Sequence, residues 1–243
     1  MSLAIDSSGP ARFTAVIASN GTIVSASFTA PANSLLVVTV CWDGQSDSDG
    51  GISSLSDSGS LTWTKQVERT CTEATSPGAG SALHTARTTT AASRTVTVTR
   101  SNSGGSNYRW SARCYVVTGA DVNGTPVDSV TASNEGSDSA NNLTTTSITA
   151  GMNGLLFAVG TDYNALGAPT SSDLTADPQN YAGAISMIDG YKFVAGGASV
   201  NANLDASGSS AAIWKWCQAI VRQYESRIDK VISRQAVNRA STY

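Results

Sequence analysis

Alternation of apolar and polar residues at every second position is the feature that most constrains how this chain folds. In RTVTVTR (94–100), Val96 and Val98 alternate with threonines, and YRWSARCYVV (108–117) and LTWTKQVER (61–69) alternate in the same way. A repeat of two residues places apolar side chains on one face of a β-strand, whereas an amphipathic helix repeats every 3.6 residues. The sequence therefore predicts an all-β chain.

One further strand and the turns have their own signatures. IWKWCQAIV (213–221) is apolar on both faces, which is typical of a central strand that is covered on both sides. Clusters of Ser, Gly, Asp and Asn predict turns at 43–51, 101–107, 133–142 and 205–210. Hydrophobic residues make up 40% of the 243 positions, which is enough for a packed core.

An internal repeat relates the two halves of the chain. SFTAPANSLL (27–36) matches SITAGMNGLL (147–156) at six of ten positions. A weaker correspondence continues through two further pairs, 96–100 with 200–204 and Trp110 with Trp214. Each copy reads as about five strands, and no linker-like segment separates the copies. We therefore expect one domain that is built from two related halves.

The predicted architecture is a single antiparallel jelly-roll sandwich of two packed sheets over residues 1–221. Its related halves span about 20–120 and 140–221. Two packed sheets suit about ten strands, because they leave few strand edges exposed.

The last 22 residues, 222–243, differ in character from the rest of the chain. Five basic residues against Glu225 and Asp229 give this segment a net charge of +3, and the apolar residues recur at helical spacing. The segment therefore predicts a short amphipathic helix or an extended arm, with a frayed, solvated terminus as the alternative. The predicted partner-binding set is Arg227, Ile228, Lys230, Val231, Ile232, Arg234 and Arg239.

Charge and hydropathy exclude several partner classes. The net charge of the chain is −3, so no general attraction to nucleic acid or to an anionic membrane is expected. The longest apolar run, 35–40, is far shorter than a membrane span. The first ten residues, MSLAIDSSGP, lack the basic and apolar regions of a secretory signal. We expect synthesis in a cytoplasm, no membrane insertion and, on export, release inside a virus particle.

Three aspartates in CWDGQSDSDGG (41–51) form the densest acidic cluster of the chain, and Asp43, Asp47 and Asp49 are its members. An EF-hand requires a bidentate Glu at position 12, where this chain has Ser56. A turn is the favoured interpretation, because Asp, Gly and Ser adopt turn conformations at low cost. A calcium site without the EF-hand pattern remains the alternative.

Catalytic motifs are scarce in this sequence. A glycosidase needs two carboxylates across a cleft, for which Asp43 with Asp47 or Asp173 with Asp177 are the candidates. The single histidine, His84, lies inside a predicted strand, and no G-x-S-x-G elbow is present. Zinc-ligand spacing is also absent. The sequence therefore predicts a protein that is not an enzyme, with no cofactor and no catalytic residues.

The four cysteines lie far apart and form no C-x-x-C pair. Cys41, Cys114 and Cys217 fall inside apolar strand-like runs, where a free thiol behaves as a small hydrophobic group. Reduced, buried cysteines are therefore expected, with a Cys41–Cys71 disulfide as the alternative.

Aromatic residues divide into core candidates and binding candidates. The five tryptophans mostly accompany aliphatic residues on predicted strands, and we expect them in the core. A glycan-binding face needs aromatic residues exposed on loops, and Tyr163, Tyr181 and Tyr191 are the candidates for it.

Five segments in a fixed order carry a family resemblance: FTAPANSLLVVTVCWDG, SDSGSLTWTKQ, RTVTVTR, YVVTGADVNGTPVDS and TTTSITAGMNGLLFAV. Their order resembles that of jelly-roll domains in bacteriophage virion proteins and bacterial surface proteins, over residues 20–221. The phage members are similar to head-decoration proteins, head spikes and tail-fibre modules. The resemblance implies a commonly trimeric assembly and no fixed catalytic positions.

The expected function is that of a non-enzymatic virion protein, a capsid-exterior decoration or head-spike protein. Its partners would be the capsid or another virion protein and like subunits in a homotrimer. A glycan-binding module of a phage spike or fibre, or of a bacterial surface protein, is the alternative, with a cell-surface glycan as its ligand. A glycosidase is the third hypothesis.

Overall fold

A computed structural model of the chain describes residues 2–17, 21–43, 51–70, 79–101, 108–134, 142–163, 167–181, 185–205 and 213–224. Every helix or strand assigned in these ranges is a β-strand, and all the strand pairs are antiparallel. The prediction of an all-β, antiparallel chain is confirmed.

The first half of the chain forms one large sheet and two small ones. Its strands are β1 (Ala4–Asp6), β2 (Phe13–Ile17), β3 (Thr22–Val24), β4 (Phe28–Ala30), β5 (Leu35–Trp42), β6 (Ile52–Asp57), β7 (Trp63–Thr70), β8 (Gly80–Arg87), β9 (Ala92–Arg94), β10 (Val96–Arg100) and β11 (Tyr108–Thr118). The large sheet has the order β1-β11-β5-β8-β7, and β2 pairs with the other end of β11. The small sheets are β3-β10-β6 and β4-β9.

The second half also forms one large sheet and two small ones. Its strands are β12 (Val127–Asn134), β13 (Asn142–Thr144), β14 (Ile148–Thr149), β15 (Gly154–Tyr163), β16 (Thr175–Tyr181), β17 (Ile185–Val194), β18 (Ser199–Val200), β19 (Asn203–Asp205) and β20 (Ile213–Arg222). The large sheet has the order β12-β20-β15-β17-β16, and the small sheets are β13-β19 and β14-β18.

The two halves repeat the same strand pairings. The order β11-β5-β8-β7 in the first half corresponds to β20-β15-β17-β16 in the second, and β1 and β2 together take the place beside β11 that β12 takes beside β20. The small sheets correspond as well, because β4-β9 matches β14-β18 and β3-β10 matches β13-β19. In the first half, β10 pairs with β3 on one edge and with β6 on the other. In the second half, a single bridge between Thr170 and Asp205 is found on the corresponding edge of β19. The internal repeat in the sequence therefore describes a repeated topology.

Hydrogen bonds at one position correct the alignment of the repeat. In the first half, Ser25 N–H donates to the Val96 carbonyl at 2.9 Å, and Val96 N–H donates to Ser25 Oγ at 2.9 Å. In the second half, Thr145 makes the same two bonds with Ala202, at 2.9 and 2.7 Å. Val96 thus corresponds to Ala202, two residues beyond the predicted partner.

The strand registers place the two tryptophans of the repeat, Trp110 and Trp214, at equivalent positions. Trp42 of β5 lies opposite Trp110, and Asp162, at the equivalent position of β15, lies opposite Trp214. The alignment of 96–100 with 200–204 was wrong by two residues. Such a shift still predicts the same inward-facing side chains, because the side-chain period of a strand is two.

The main core lies between the two large sheets. Alternate residues of β5 and β15 point into it, and it includes Leu35, Val37, Leu155 and Phe157, all at most 1% exposed. All eight residues of β5 are buried, as expected for a strand covered on both faces. One large sheet from each half therefore packs face to face with the other.

Short strands cover the outer face of each large sheet. In the first half, Leu36, Val38 and Val40 pack with Val96 and Val98 of β10. In the second half, clusters that include Leu143, Leu156, Ala202, Leu204 and Trp216 play the same part. The segment RTVTVTR thus supplies a covering strand whose valines face inward and whose threonines face outward.

Candidate functional site: the polar network between the large sheets

A polar network crosses the otherwise apolar core at Arg12, which precedes β2. The Arg12 guanidinium forms an ion pair with Asp189 Oδ1, donates to the Asp177 carbonyl oxygen at 2.6 Å, and donates to Ser111 Oγ at 2.8 Å. The side chain of Arg12 is 7% exposed and that of Asp189 is fully buried. Arginine suits such a place, because its planar group donates five hydrogen bonds in a fixed geometry.

Asp189 is the centre of this network. Its second oxygen, Oδ2, accepts hydrogen bonds from Thr39 Oγ1 at 3.0 Å and from the Tyr115 hydroxyl. Burial raises the pKa of Tyr115, so the hydroxyl stays protonated and able to donate. Thr39 and Tyr115 belong to the first half and Asp189 to the second, so the network joins the two large sheets.

Asp177 extends the network toward solvent. Its Oδ2 accepts from Arg12 Nε at 3.2 Å and from Arg113 Nη1 at 2.8 Å. Asp177 lies directly opposite Asp189 in the pairing of β16 with β17. Two like charges in that position repel one another, and the Arg12 guanidinium contacts both carboxylates and offsets the repulsion.

The carboxylate pair Asp173 and Asp177 has separate partners. Asp173 accepts from Lys192 Nζ at 2.6 Å and from Asn203 N–H at 3.1 Å. Burial alone would raise the pKa of Asp173, but the hydrogen bonds from Lys192, Asn203 and Ser171 outweigh it and hold the pKa below its ordinary value. A glycosidase acid needs a raised pKa, so Asp173 is poorly suited to that role.

His84 lies on β8, facing the covering strands of the first half. It is 5% exposed, and its Nδ1 has no hydrogen-bond partner among the described residues. Burial lowers the pKa of His84 to about 4, and the neighbouring Glu68 and Lys65 act on it in opposite directions. The histidine is therefore neutral at physiological pH and packs as part of the strand.

We expect His84 to make stability depend on pH. Because the pKa is 6.5 in the unfolded chain and about 4 in the folded one, the unfolded chain binds the proton more tightly. Stability is complete above pH 6.5 and falls between pH 6.5 and 4, by about 3 kcal/mol at 1.36 kcal/mol per pKa unit. Urea titrations of the wild type and His84→Gln at several pH values measure this. Because carboxylates titrate in both proteins, the difference in their free energies of unfolding at each pH reports on His84. Parallel stability profiles would contradict the pH dependence assigned to His84.

Three of the four cysteines are free and buried: Cys41, Cys114 and Cys217. Burial raises the pKa of Cys41 to about 11 and that of Cys217 to about 12. Their thiols are therefore protonated and poorly nucleophilic at neutral pH. The prediction of buried, reduced cysteines is confirmed for these three, and Cys71 lies outside the described residues.

The proposed calcium loop falls mostly outside the described ranges. Asp47 and Asp49 are not among the described residues, and Asp43 follows β5, where its N–H donates to the Arg109 carbonyl at 3.0 Å. Within the described ranges, no three His, Cys, Asp or Glu side chains are grouped so as to hold a metal ion. The calcium interpretation stays a prediction.

The three tyrosines of the glycan hypothesis lie on strands and not on loops. Tyr163 ends β15 and Tyr181 ends β16, while Tyr191 lies inside β17. The Tyr191 ring meets the Tyr115 ring edge-on, with 5.7 Å between the centroids, and is partly buried against the main core. Tyr191 therefore contributes to packing, because an inward position on a strand is not available to stack on a sugar.

The predicted partner-binding residues, 227–239, lie outside the described ranges, but the start of the arm is described. Arg222 Nη2 donates to Asp121 Oδ2 at 2.8 Å. The backbone continues the body of the protein, since Gln223 N–H donates to the Asn153 carbonyl and Tyr224 N–H to the Gly119 carbonyl, both at 2.8 Å. The first three residues of the predicted arm, 222–224, are therefore bonded to the body of the protein, and the rest of the predicted arm lies outside the described ranges.

The sequence did not point to Arg12, Thr39, Tyr115 or Asp189. One signal was present for Asp189, since it falls between Met187 and Tyr191 at the spacing of inward-facing residues. An acidic residue on an apolar face predicts a buried charge that requires a cation. The identity of that cation follows only from the fold, because Arg12 is 177 residues away.

Comparison with protein-family models, with curated proteins and with solved structures finds no match for this chain. Among the described residues, no helix is long and apolar enough to cross a membrane.

Proposed function

We propose that this chain is a non-enzymatic structural protein of a bacteriophage virion, of the capsid-decoration or head-spike type. It binds the shell and like subunits, and its jelly-roll halves form the body of the particle-bound molecule. The repeated nested strand pairing is the observation that carries the proposal.

Nested pairing is the signature of a jelly roll, in which a long antiparallel hairpin wraps into two sheets. In the first half, β2 pairs with β11, β3 with β10, and β5 with β8, so early strands meet late ones. The second half repeats this order with β12 and β20, β13 and β19, and β15 and β17. Double-sheet jelly rolls are common in viral capsid and lectin domains. The link to a virion is thus an analogy at the level of the fold.

The use of the polar groups supports a structural role. Asp189 holds the two large sheets together, Asp173 anchors Lys192 and Asn203, and His84 is neutral and buried. Asp189 and Asp173 bind cations within the fold and His84 packs inside a strand, where an active site would present such groups to a substrate. A protein that acts by burying surface against neighbours needs such a rigid body.

The C-terminal arm is the proposed contact with the shell or another virion protein. Residues 225–243 carry a net charge of +2, and this charge with the apolar residues Ile228, Val231 and Ile232 suits an acidic neighbour with an apolar groove. Basic residues at such a contact set register and association rate, while apolar burial contributes most of the affinity.

Truncation separates the roles of the body and the arm. We expect residues 1–224 to fold with the stability of the full chain, because the truncation keeps the Arg222–Asp121 ion pair and the bonds of Gln223 and Tyr224. We also expect the full chain and the truncated chain to be trimers by light scattering, and the truncated chain to lose shell binding. Truncation at 221 is the matched control and should lower the melting temperature.

The decisive outcome concerns the particle itself. Gold-labelled antibody against the purified chain should mark the head exterior of phage particles that contain it, and residues 1–224 should fail to bind heads lacking the protein. Monomers in both forms would contradict the trimer. Unlabelled heads would contradict the position on the head exterior, and full binding by the truncated chain would show that the arm is not part of the contact.

A further inference from the structure

A polar cleft opens where the edge of the first large sheet meets the connection between β11 and β12. Its volume is about 650 Å³, within the usual range of small-molecule sites. Strands β7 and β8 form one wall, and Thr125 with Pro126 forms the other. The cleft lies beside the connection between the two halves and is separate from the Arg12 network.

Hydroxyl groups dominate the lining of this cleft. They belong to Ser60, Thr62, Thr64, Thr85, Thr89 and Thr125. Thr85 is 4% exposed, and its Oγ1 accepts from Gln66 Nε2 at 2.7 Å, which leaves the Thr85 O–H to donate. Each hydroxyl offers one donor and two acceptor positions, so the lining complements a ligand that itself carries many hydroxyls.

The charge of the cleft comes from a single arginine, Arg87. None of the lining residues is acidic. Of the carboxylates nearby in sequence, Asp57 pairs with Arg94, Asp121 with Arg222 and Glu68 with Lys65, while Asp128 accepts a hydrogen bond from Gly151 N–H. One bond from Arg87, to the Gly124 carbonyl, fixes the guanidinium and leaves further N–H donors. A lone guanidinium beside neutral hydroxyls favours a ligand with one carboxylate.

A rigid turn forms the rim of the cleft. Asp57 accepts from Gly59 N–H at 2.8 Å, from Leu61 N–H at 2.7 Å and from Arg94. Burial would raise the pKa of Asp57, but these hydrogen bonds outweigh it and hold the pKa below its ordinary value. Ser60 adopts a φ of 59°, a left-handed conformation that is unfavourable for a non-glycine residue. The network at Asp57 thus fixes Ser60 and Leu61 at the rim before any ligand arrives.

We propose that this cleft binds a sugar unit that carries a carboxylate, with Arg87 pairing the carboxylate and the threonine hydroxyls binding the sugar hydroxyls. The site is distinct from the three tyrosines and independent of the virion assignment. Arg87 favours a sugar with a carboxylate over a neutral sugar, because a charge-assisted, bidentate hydrogen bond is about twice as strong as a neutral one. Thr64 and Thr85, opposite one another on β7 and β8, contact the ring hydroxyls.

Titration with three small probes tests the proposal. D-glucuronate carries both the hydroxyls and the carboxylate, D-glucose only the hydroxyls, and acetate only the carboxylate. We expect glucuronate to bind with a millimolar dissociation constant, about tenfold more tightly than either of the others, by NMR chemical-shift titration of the full chain. Shifts should concentrate on β7, β8 and residues 124–126.

Matched variants locate the site. Arg87→Gln should remove the preference for glucuronate over glucose, and Arg87 is exposed, so the variant should fold normally. Thr64→Val should weaken glucuronate and glucose alike. Lys65→Gln is the control, because it removes a positive charge from the other face of β7 and should leave binding unchanged.

Each remaining outcome contradicts the proposal. Equal affinity for acetate and glucuronate would show a simple anion site. Glucuronate binding that survives Arg87→Gln would place the ligand elsewhere, and no binding up to about 50 mM glucuronate would exclude the sugar site.

Discussion

Replacing Arg12 by methionine is expected to lower the free energy of unfolding by about 3–5 kcal/mol. Arg12 is the cation that contacts the fully buried Asp189, and it also bonds Asp177 and Ser111. Methionine keeps most of the apolar stem, but among the described residues it leaves the Asp189 carboxylate with two neutral donors, Thr39 and Tyr115. Chemical denaturation of both proteins at pH 7 measures the loss.

Arg113→Met is the matched control for this prediction. Arg113 also pairs with Asp177, but its side chain is 34% exposed and that of Asp177 is 32% exposed. A pair with that exposure contributes little, typically below about 1 kcal/mol. Similar losses in the two variants would contradict the assignment of Arg12 as the cation of the buried network.

Replacing Trp110 by alanine is expected to cost about 4–5 kcal/mol. Trp110 is fully buried, and its ring stacks on that of Trp42 with 5.1 Å between the centroids and 11° between the planes. Truncating a buried tryptophan costs about 3–5 kcal/mol, and a lost aromatic pair adds about 0.5–1.5 kcal/mol. Gly80 shows how tightly the stack is enclosed, since a Cβ there would lie 2.2 Å from the Trp42 ring.

Trp110→Phe separates packing from hydrogen bonding at the same position. The Trp110 Nε1 is buried without a hydrogen-bond partner among the described residues, so phenylalanine gives up no such bond and keeps an aromatic ring against Trp42. We expect a clearly smaller loss than for alanine, measured by the same denaturation. Equal losses would indicate that the indole N–H has a role that packing does not explain.

Local pattern was sufficient to predict the strands and the repeat. The alternation in RTVTVTR predicted inward valines, and Val96 and Val98 are fully buried. The match of 27–36 with 147–156 predicted related halves, and the strand pairings repeat in the same order. These features depend on neighbours a few residues apart, because the period of two and the turn residues are local properties of the backbone.

The exact alignment of residues between the halves, and the bounds of the segments, were harder to predict from the sequence. The segment 96–100 was aligned two residues away from its partner, because a shift of two leaves every side chain on the same face. The arm was placed to begin at Arg222, although β20 extends to that residue and the backbone bonds continue through Tyr224. Charge marked the change in composition, but the pairing of residues 222–224 with the body follows only from the fold.

The sequence by itself determined that the chain is all-β, that its strands are antiparallel and arranged in two related halves, and that its cysteines are suited to burial. Only the tertiary structure decided which polar residues meet. Arg12 finds Asp189 across 177 residues, and the cleft at Arg87 forms where a sheet edge meets the connection between the halves. Such contacts depend on how two sheets face one another, and no local periodicity carries that information, because it arises from packing between segments that are distant in the chain.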